Sequence, residues 1–364
     1  MNKRIAVDLA KSVYQVAESV RAEQVSQRKR LNREAFRRYI QDQAEPVEWL
    51  MEACGTAHYW GRFAQSQGHR VILLHARYVK PYRRRNKTDR NDCDAILEAA
   101  RCADIHPVPV KTHEQQQLQQ LHGLRETWKK SRTQRINLLR GIFREMGLEA
   151  PAATAAFLHA ANELVECPEV VALRGQLQIV LAEINLYAQC MAECEQQLAR
   201  WHADDAIVRK LDEVSGIGLL TASALKTVVG QPERFATGRQ LSAWLGMTPR
   251  EYSSGNRRRL GQISCLGNTY VRTLLIHGAR AALLAAQRLY CRTLERLTQL
   301  QRWAVATAAR IGHNKAAVAL ANKLVRICWA VWCHERRFSG NWQSSRPAGR
   351  RACVISSRFF PWLW

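Results

Sequence analysis

Hydrophobic and polar positions in the first part of the chain alternate in short blocks typical of strands and helices. Strands are predicted by four apolar runs, which read IAVDLA, VYQVAESV, VEWLMEA and HRVILLHA. Helical spacing follows in NREAFRRYIQDQA, with Asn32 as a plausible N-cap, in TAHYWGRFAQSQG, which ends on Gly68, and in DRNDCDAILEAARCA. The order β-β-α-β-α-β-α predicts an α/β domain with a mixed sheet flanked by helices. The pattern breaks at HPVPV, which places a boundary near residue 110.

The middle of the chain, residues 111–200, is poor in Gly and Pro and rich in Gln, Leu, Arg and Glu. Apolar residues recur at helical spacing from Leu118 to Phe143, and a second helical stretch reads VVALRGQLQIVLAEINLYAQCMAECEQQLAR. We expect two long helices separated by a loop around Pro151 and Pro168. An antiparallel pair that projects or dimerises and an internal helical bundle both agree with this pattern.

The remainder of the chain predicts an all-α domain followed by a tail. The segment LDEVSGIGLLTASALKTVVG indicates a helix, a tight glycine turn and a helix, and further helical runs continue to Arg336. After that point the composition changes to Ser, Arg, Gly, Pro and aromatic residues. The predicted division is therefore 1–110, 111–200, 201–336 and an irregular basic, aromatic tail at 337–364.

The charge of the chain favours a polyanion as partner. The 364 residues include 55 Lys and Arg against 31 Asp and Glu, a formal net charge of +24. Positive charge is concentrated in a basic strip and in a second cluster. The strip comprises Arg77, Lys80, Arg83, Arg84, Arg85 and Lys87, and the cluster comprises Arg257, Arg258 and Arg259. No membrane association is expected, because the basic runs lack an amphipathic anchor. The 11 cysteines without a CxxC pair favour reduced thiols and a cytosolic setting.

Four acidic residues in the first hundred positions are candidate metal ligands: Asp8, Glu52, Asp89 and Asp92. Carboxylates in apolar runs are costly to bury unless something pairs with them, and Mg²⁺ is a suitable partner for an oxygen-rich site. Two such ions can stabilise the attacking and leaving oxygens of a phosphodiester. The alternative is that Asp89 only caps a helix and Asp92 is a surface charge. Asp94 lies on a different side of the predicted helix.

Two further segments carry candidate chemistry in the C-terminal part. In the turn SGIG at 215–218, Gly216 and Gly218 would leave helix amides free for a phosphate, or would only form a tight helix corner. The segment TPREYSSGNRRRLGQIS places two serines beside three arginines. A serine is a weak nucleophile unless a base or metal activates it, whereas arginines can hold a phosphate. Without activation the segment is a polar, basic loop.

These motifs, taken together in their order, resemble one family. IAVDLAKS, MEACGTAHYWGR, NKTDRNDCDA, SGIG, LSAWLGMTPREYSSGNRRRLGQIS and GNTYVRTLLIHGAR are similar to segments of the DEDD transposases of bacterial insertion sequences. The resemblance covers roughly residues 3–335. It implies a RuvC-like (RNase H-like) sheet domain, a coiled-coil segment and an all-α serine transposase domain. The family's acids fall on Asp8, Glu52, Asp89 and Asp92, and its serine falls on Ser254, with Ser253 as a neighbour.

The resemblance also implies a mechanism and partners. It implies RNA-guided DNA strand exchange through a covalent Ser254–phosphate intermediate, assisted by Mg²⁺. The DNA partners would be the element ends and the target. Serine and acids would come from different subunits of a homodimer or homotetramer in the bacterial cytoplasm, at the nucleoid. A hydrolytic RuvC-like nuclease or junction resolvase, which needs only the acids, is the alternative. A non-enzymatic RNA- or DNA-binding protein is a second alternative.

Overall fold

The computed structural model describes residues 3–20, 25–83, 88–335 and 337–341. The chain divides into two compact units. The first unit contains Met1–Asp204 and Ser223–Gln231, and the second contains Asp205–Ala222 and the described part of Pro232–Trp364. The finer division at residues 110 and 200 stays a prediction, and most of the predicted tail lies outside the described residues.

The first unit is built around the mixed sheet that the sequence predicts. Its strands are β1 (Arg4–Leu9), β2 (Tyr14–Ser19), β3 (Gln27–Leu31), β4 (Glu48–Glu52) and β5 (Arg70–Leu74). They are arranged in the order β3-β2-β1-β4-β5. The pairs β1–β2 and β2–β3 are antiparallel, whereas β1–β4 and β4–β5 are parallel. The carboxyl ends of β1, β4 and β5 therefore point to the same edge of the sheet.

Strand β3 is a correction to the sequence prediction, which placed a helix directly after the second strand. Its sequence is QRKRL, and it pairs antiparallel with β2. Arg28, Lys29 and Arg30 remove the apolar alternation by which a strand is recognised. Such a sequence can still form an edge strand, because one side of its backbone is free and its side chains reach solvent.

Helices cover both faces of the sheet. They are α1 (Arg33–Gln41), α2 (Ala57–Ser66), α3 (Ala76–Val79) and α4 (Asp89–Ala99). On one face Val7, Phe36 and Trp60 belong to the core cluster under α1 and α2. On the other face Ala6 and Ile96 belong to the cluster under α4. Alternate residues of β1 thus enter different cores, which explains why its apolar run is continuous.

The first unit continues with α5 (His113–Glu145), α6 (Thr154–Leu164) and α7 (Arg174–Trp201). The two long helices form an antiparallel pair, because Arg125 bonds Glu195 and Arg135 bonds Glu183, each at 2.7 Å. Helix α6 is a correction, since a loop was predicted between Pro151 and Pro168. Both prolines lie outside this helix, and Phe157 packs on Phe143 in the core of the pair.

The second unit is mostly helical, as predicted, but it contains a small β-hairpin. Its helices are α8 (Ala206–Asp212), the first residues of α9 (Leu219–Val229), α10 (Gly238–Trp244), α11 (Thr269–Arg292), α12 (Gln299–Ile311) and α13 (His313–Cys333). From Ser223 onward, α9 belongs to the first unit. Strands β6 (Pro249–Glu251) and β7 (Leu260–Ile263) pair antiparallel where a loop in an all-α domain was expected. Their side chains are mostly exposed, so the sequence carries no apolar pattern that would reveal them.

Helix α13 is long and apolar enough to span a membrane by length and composition alone. Half of its most apolar window is buried inside the protein, and α13 packs against α8, α10, α11 and α12. It also carries Lys323 and Arg326. A helix at the centre of a helical core can have the same length and apolar composition, and the packing of α13 is that of such a helix.

Candidate active site and nucleic-acid-binding surfaces

Asp8 and Glu52 are neighbours at the carboxyl ends of two parallel strands. Residue Val7 of β1 lies opposite Met51 of β4, so the next step of the same register sets Asp8 beside Glu52. Adjacent strands are about 4.8 Å apart, and partners in register point to the same face. This face is the one covered by α4. Both acids are partly exposed although the residues before them are buried.

Helix α4 brings Asp89 and Asp92 to the same face of the sheet. Its N-cap is Thr88, whose hydroxyl accepts a hydrogen bond from the Asn91 amide, and both acids lie in its first turn. The buried Cys93 thiol donates to the Gln15 carbonyl at 3.2 Å, and Gln15 is the strand partner of Asp8. The start of α4 is therefore anchored beside Asp8.

Cys93 is a contributor to this site that sequence reasoning missed. It is fully buried, and burial raises the pKa of its thiol to about 12. It remains a neutral donor at physiological pH. The signal in the sequence is a cysteine between Asp92 and Asp94, one helical turn after Asp89.

Asp92 is engaged by a cation of the basic strip. The Arg83 Nε lies 2.5 Å from the Asp92 Oδ1, and the two side chains are only 22% and 15% exposed. The contact is a close ionic one, because neither atom has a partner in good hydrogen-bond geometry. Arg83 therefore faces Asp92 and is largely shielded from solvent. Asp94, by contrast, pairs with Arg28 of β3 at 2.6 Å, which separates it from Asp92.

The residue types at this face suit a hard divalent cation, because carboxylate oxygens are the ligands that Mg²⁺ prefers. Asp8 and Glu52 are adjacent, Asp92 is paired with Arg83, and Asp89 is exposed at the start of α4. Within residues 3–20, 25–83 and 88–335, no three His, Cys, Asp or Glu side chains are grouped closely enough to hold a metal ion. The residue types therefore suit a divalent metal, although among the described residues only two of the acids, Asp8 and Glu52, are set side by side.

The remaining basic strip is described in part. Arg77 lies on α3 and Lys80 follows it, and both are exposed. Arg84, Arg85 and Lys87 lie outside the described residues. The exposed pair is available to phosphates, while Arg83 balances the charge of Asp92.

The second unit presents Ser254 at the tip of the β6–β7 hairpin. The Ser254 amide donates to the Arg257 carbonyl at 3.3 Å, and the Arg257 amide donates to the Ser254 carbonyl at 3.1 Å. Gly255 has φ +53°, a left-handed conformation that favours glycine. The tip is exposed, and so are Arg257, Arg258 and Arg259.

The two adjacent serines differ in their partners. The Ser253 hydroxyl donates to the Glu251 Oε1 at 2.7 Å and accepts from the Arg259 amide at 3.2 Å. The hydrogen bond from Ser253, with the charge of Arg258, holds the pKa of Glu251 below its usual value. In the described part of the chain the Ser254 hydroxyl has no hydrogen-bond partner. Ser253 is thus a structural element of the hairpin, and Ser254 is the accessible hydroxyl.

The glycine turn between α8 and α9 has two different environments. Gly216 has φ +92°, and a Cβ on it would lie 2.9 Å from the Gly278 carbonyl oxygen. A Cβ on Gly278 would in turn lie 1.9 Å from the Gly216 carbonyl oxygen. Gly216 is therefore required for close packing against α11. Gly218 is exposed, with no neighbour near its Cβ position among the described residues.

Two transposase family models match separate parts of the chain. The family described as "Transposase IS116/IS110/IS902 family" matches residues 208–292, and the DEDD transposase domain of IS110 elements matches residues 5–147. The first match contains the Gly turn and the serine hairpin. The second contains all four acids.

Full-length relatives extend the similarity to nearly the whole chain. A "Probable family 20 transposase" of Pseudomonas aeruginosa is 40% identical over 336 residues, which cover 91% of this chain and 97% of the relative. The "Transposase for insertion sequence element IS1111A" of Coxiella burnetii is 34% identical, over 92% of this chain and 91% of that protein. The "Transposase for insertion sequence element IS1328" of Yersinia enterocolitica is 30% identical over 92% and 98%. The chain belongs to the IS110 family of insertion-sequence transposases.

Proposed function

We propose that this transposase exchanges DNA strands through a covalent intermediate on Ser254. The Ser254 oxygen attacks a DNA phosphorus, a serine–phosphate bond forms, and the bond to a deoxyribose oxygen breaks. The serine proton is lost, and the leaving oxygen gains a proton. Attack by another deoxyribose hydroxyl then restores a phosphodiester and releases the serine, so no external energy source is needed.

The contrast between the two adjacent serines carries this proposal. Ser253 is committed to Glu251 and to the Arg259 amide, whereas Ser254 is exposed on a tight turn beside Arg257. The arginines near this tip can hold a phosphate and stabilise the charge that builds on it during attack. The names of the relatives add that proteins of this family move insertion sequences.

The match to a DEDD domain supports a general dependence on divalent metal. We propose that the metal is Mg²⁺, that two ions bind, and that their ligands are Asp8, Glu52, Asp89 and Asp92. A bound divalent ion would supply Lewis-acid polarisation of a phosphate. The protein itself contributes the parallel register that sets Asp8 beside Glu52 and the contact of Arg83 with Asp92, which balances one carboxylate charge.

DNA at the element ends and target is the proposed substrate, and a guide RNA is the proposed source of sequence specificity. The net charge of +24 supports polyanion binding, and we propose the exposed cations Arg77, Lys80 and Arg257 as phosphate contacts. In such a system base pairing selects the target and the protein contacts backbone and shape. The proposed location is the bacterial cytoplasm, at the nucleoid.

The proposed assembly is a homodimer or homotetramer in which α7 contributes to the contact. Apolar or small residues recur on its exposed side at the 3–4 spacing of a coiled-coil seam. They are Gly175, Ile179, Ala182 and Leu186. Ile179 and Leu186 are 56% and 55% exposed, on the side of α7 away from the residues that α5 buries.

The test is a pair of substitutions at the hairpin tip, assayed for a covalent protein–DNA adduct. Ser254→Ala is expected to abolish the adduct and strand exchange, whereas Ser253→Ala, the matched control, retains a measurable adduct. If Ser254→Ala cleaves DNA at the normal rate and Asp8→Asn does not, the chain is a hydrolytic nuclease. If the wild type never alters a DNA strand, the chain only binds nucleic acid.

A further inference from the structure

A cavity of about 570 Å³ lies among α2, α5 and α7 in the first unit. Ligand sites in proteins have volumes of about 300–1,000 Å³. No acid of the candidate active site lines this cavity, and neither does any described residue of the basic strip. The lining combines aromatic rings, amides and a guanidinium, contributed by Tyr59, Arg62, Gln117, Gln120, Gln197 and Trp201. We infer that the cavity binds an unpaired nucleobase of a single-stranded nucleic acid.

The aromatic rings provide an open and oriented stacking surface. The Trp201 Nε1 donates to the Glu114 Oε1 at 2.7 Å, which fixes one edge of the indole while its side chain stays 39% exposed. Tyr59 is 37% exposed and packs edge-on against Trp60, with 5.1 Å between ring centroids. When a base stacks on an anchored ring, the protein loses little side-chain entropy, because the ring is already held in place.

The amides provide groups that match the edge of a base. Three glutamines near the start of α5 have internal roles, in the helix cap or as acceptors: Gln115, Gln116 and Gln119. Gln116 also lines the cavity, but its amide oxygen already accepts from Arg62. Gln117 and Gln120, one helical turn apart, line the cavity together with Gln197 of α7. In the described chain these three amides have no hydrogen-bond partner. Each offers a donor and an acceptor, the combination found on a nucleobase edge.

The charges around the cavity suit a base that is carried on a phosphodiester chain. Burial lowers the pKa of His58 to about 4, and the positive charges of Lys111 and Arg62 add to this effect. Arg62 is held by the Lys111 carbonyl at 2.8 Å. The side of the cavity next to Arg62 and Lys111 is therefore positive and attracts phosphates. The Glu114 carboxylate beside Trp201 disfavours an anion within the cavity itself. The occupant that fits is a neutral ring with phosphates at the rim.

The first experiment separates base binding from phosphate binding by fluorescence anisotropy. The probes are labelled oligouridylate, labelled oligothymidylate and an abasic chain with the same number of phosphates. Stacking of one base on an aromatic ring strengthens binding about 5- to 150-fold, so the wild type is expected to prefer base-bearing probes by at least about fivefold. Trp201→Ala is expected to lose most of this ratio. Trp244→Ala, a similarly exposed tryptophan of α10, is the control and keeps it.

A second pair of variants tests the amides without removing a ring. Gln117→Ala combined with Gln120→Ala is expected to reduce the same ratio, whereas Gln134→Ala, another exposed glutamine of α5, leaves it unchanged. These side chains are exposed and make no internal hydrogen bond, so the variants keep the fold even if Trp201→Ala does not. A preference between uridylate and thymidylate identifies RNA or DNA as the source of the base.

The inference is overturned if the wild type binds abasic and base-bearing chains equally. It is also overturned if Trp201→Ala and the double glutamine variant both retain the wild-type ratio. It rests on the proposed function only in that the protein handles nucleic acid. Ser254→Ala is expected to keep the ratio, so a failure of the strand-exchange proposal leaves a distinct signature from a failure of this one.

Discussion

Ser223→Ala tests a buried polar contact that holds α9 to the long helices of the first unit. The Ser223 hydroxyl lies 2.9 Å from the His122 Nε2 and 2.8 Å from the His202 Nε2. Ser223 is 0% exposed and each imidazole 4%. A hydroxyl donates only one proton, so it donates to one ring and accepts from the other. Loss of both hydrogen bonds leaves two buried nitrogens without this partner. We expect the free energy of unfolding to fall by about 2–4 kcal/mol.

Thr227→Val is the matched control on the same helix. Thr227 is 3% exposed, and its hydroxyl has no hydrogen-bond partner in the described chain, so removing the hydroxyl is expected to be neutral or stabilising. Urea unfolding measures the change, and hydrogen exchange of α5 and α7 peptides assigns it to the first unit, since a chain of two units unfolds in more than one step. Equal effects of Ser223→Ala and Thr227→Val would refute the reasoning.

Three further predictions concern pH, charge and assembly. Burial lowers the pKa of His122 to about 4, so the unfolded state binds more protons than the folded state between about pH 6.5 and 4. The free energy of unfolding therefore has its full value above this window and falls by up to about 3 kcal/mol as the pH drops through it, which urea midpoints will measure. Arg83→Gln is expected to tighten Mn²⁺ binding roughly tenfold in calorimetry, because a competing cation leaves Asp92; unchanged affinity would exclude Asp92 as a ligand. Ile179→Glu with Leu186→Glu is expected to shift the protein to monomers in light scattering, and an unchanged mass would remove α7 from the contact.

The sequence predicts those parts of the fold in which one pattern dominates. The apolar runs of β1 and β4 identify buried strands, and the long helices follow from regular apolar spacing. Strand β3 could not be found because Arg28, Lys29 and Arg30 obscure its period. Helix α6 is short and lies between two prolines, which indicate a loop when they are read locally. In both cases tertiary packing determines the element.

The candidate site is predictable as residue types but not as an arrangement. Asp8 and Glu52 come together because β1 and β4 are parallel with a fixed register, which depends on the whole sheet. The contact of Arg83 with Asp92 depends on how the chain enters α4, and no local pattern encodes it. The different partners of Ser253 and Ser254 likewise depend on the hairpin turn. The spacing of the residues leaves the roles of the four acids and of Ser254 open, and their assignment comes from the resemblance to a family.

The order of strands in the sheet has a consequence for solubility during folding. Both outer strands are protected against joining the strands of other molecules: β3 carries Arg28, Lys29 and Arg30, and β5 is bridged by Val108 through Leu73. Like charges on an open margin repel a second copy, and a capped margin offers it fewer free amides. Replacing the charges of β3 with apolar residues would improve its strand propensity and, at the same time, expose newly made chains to aggregation.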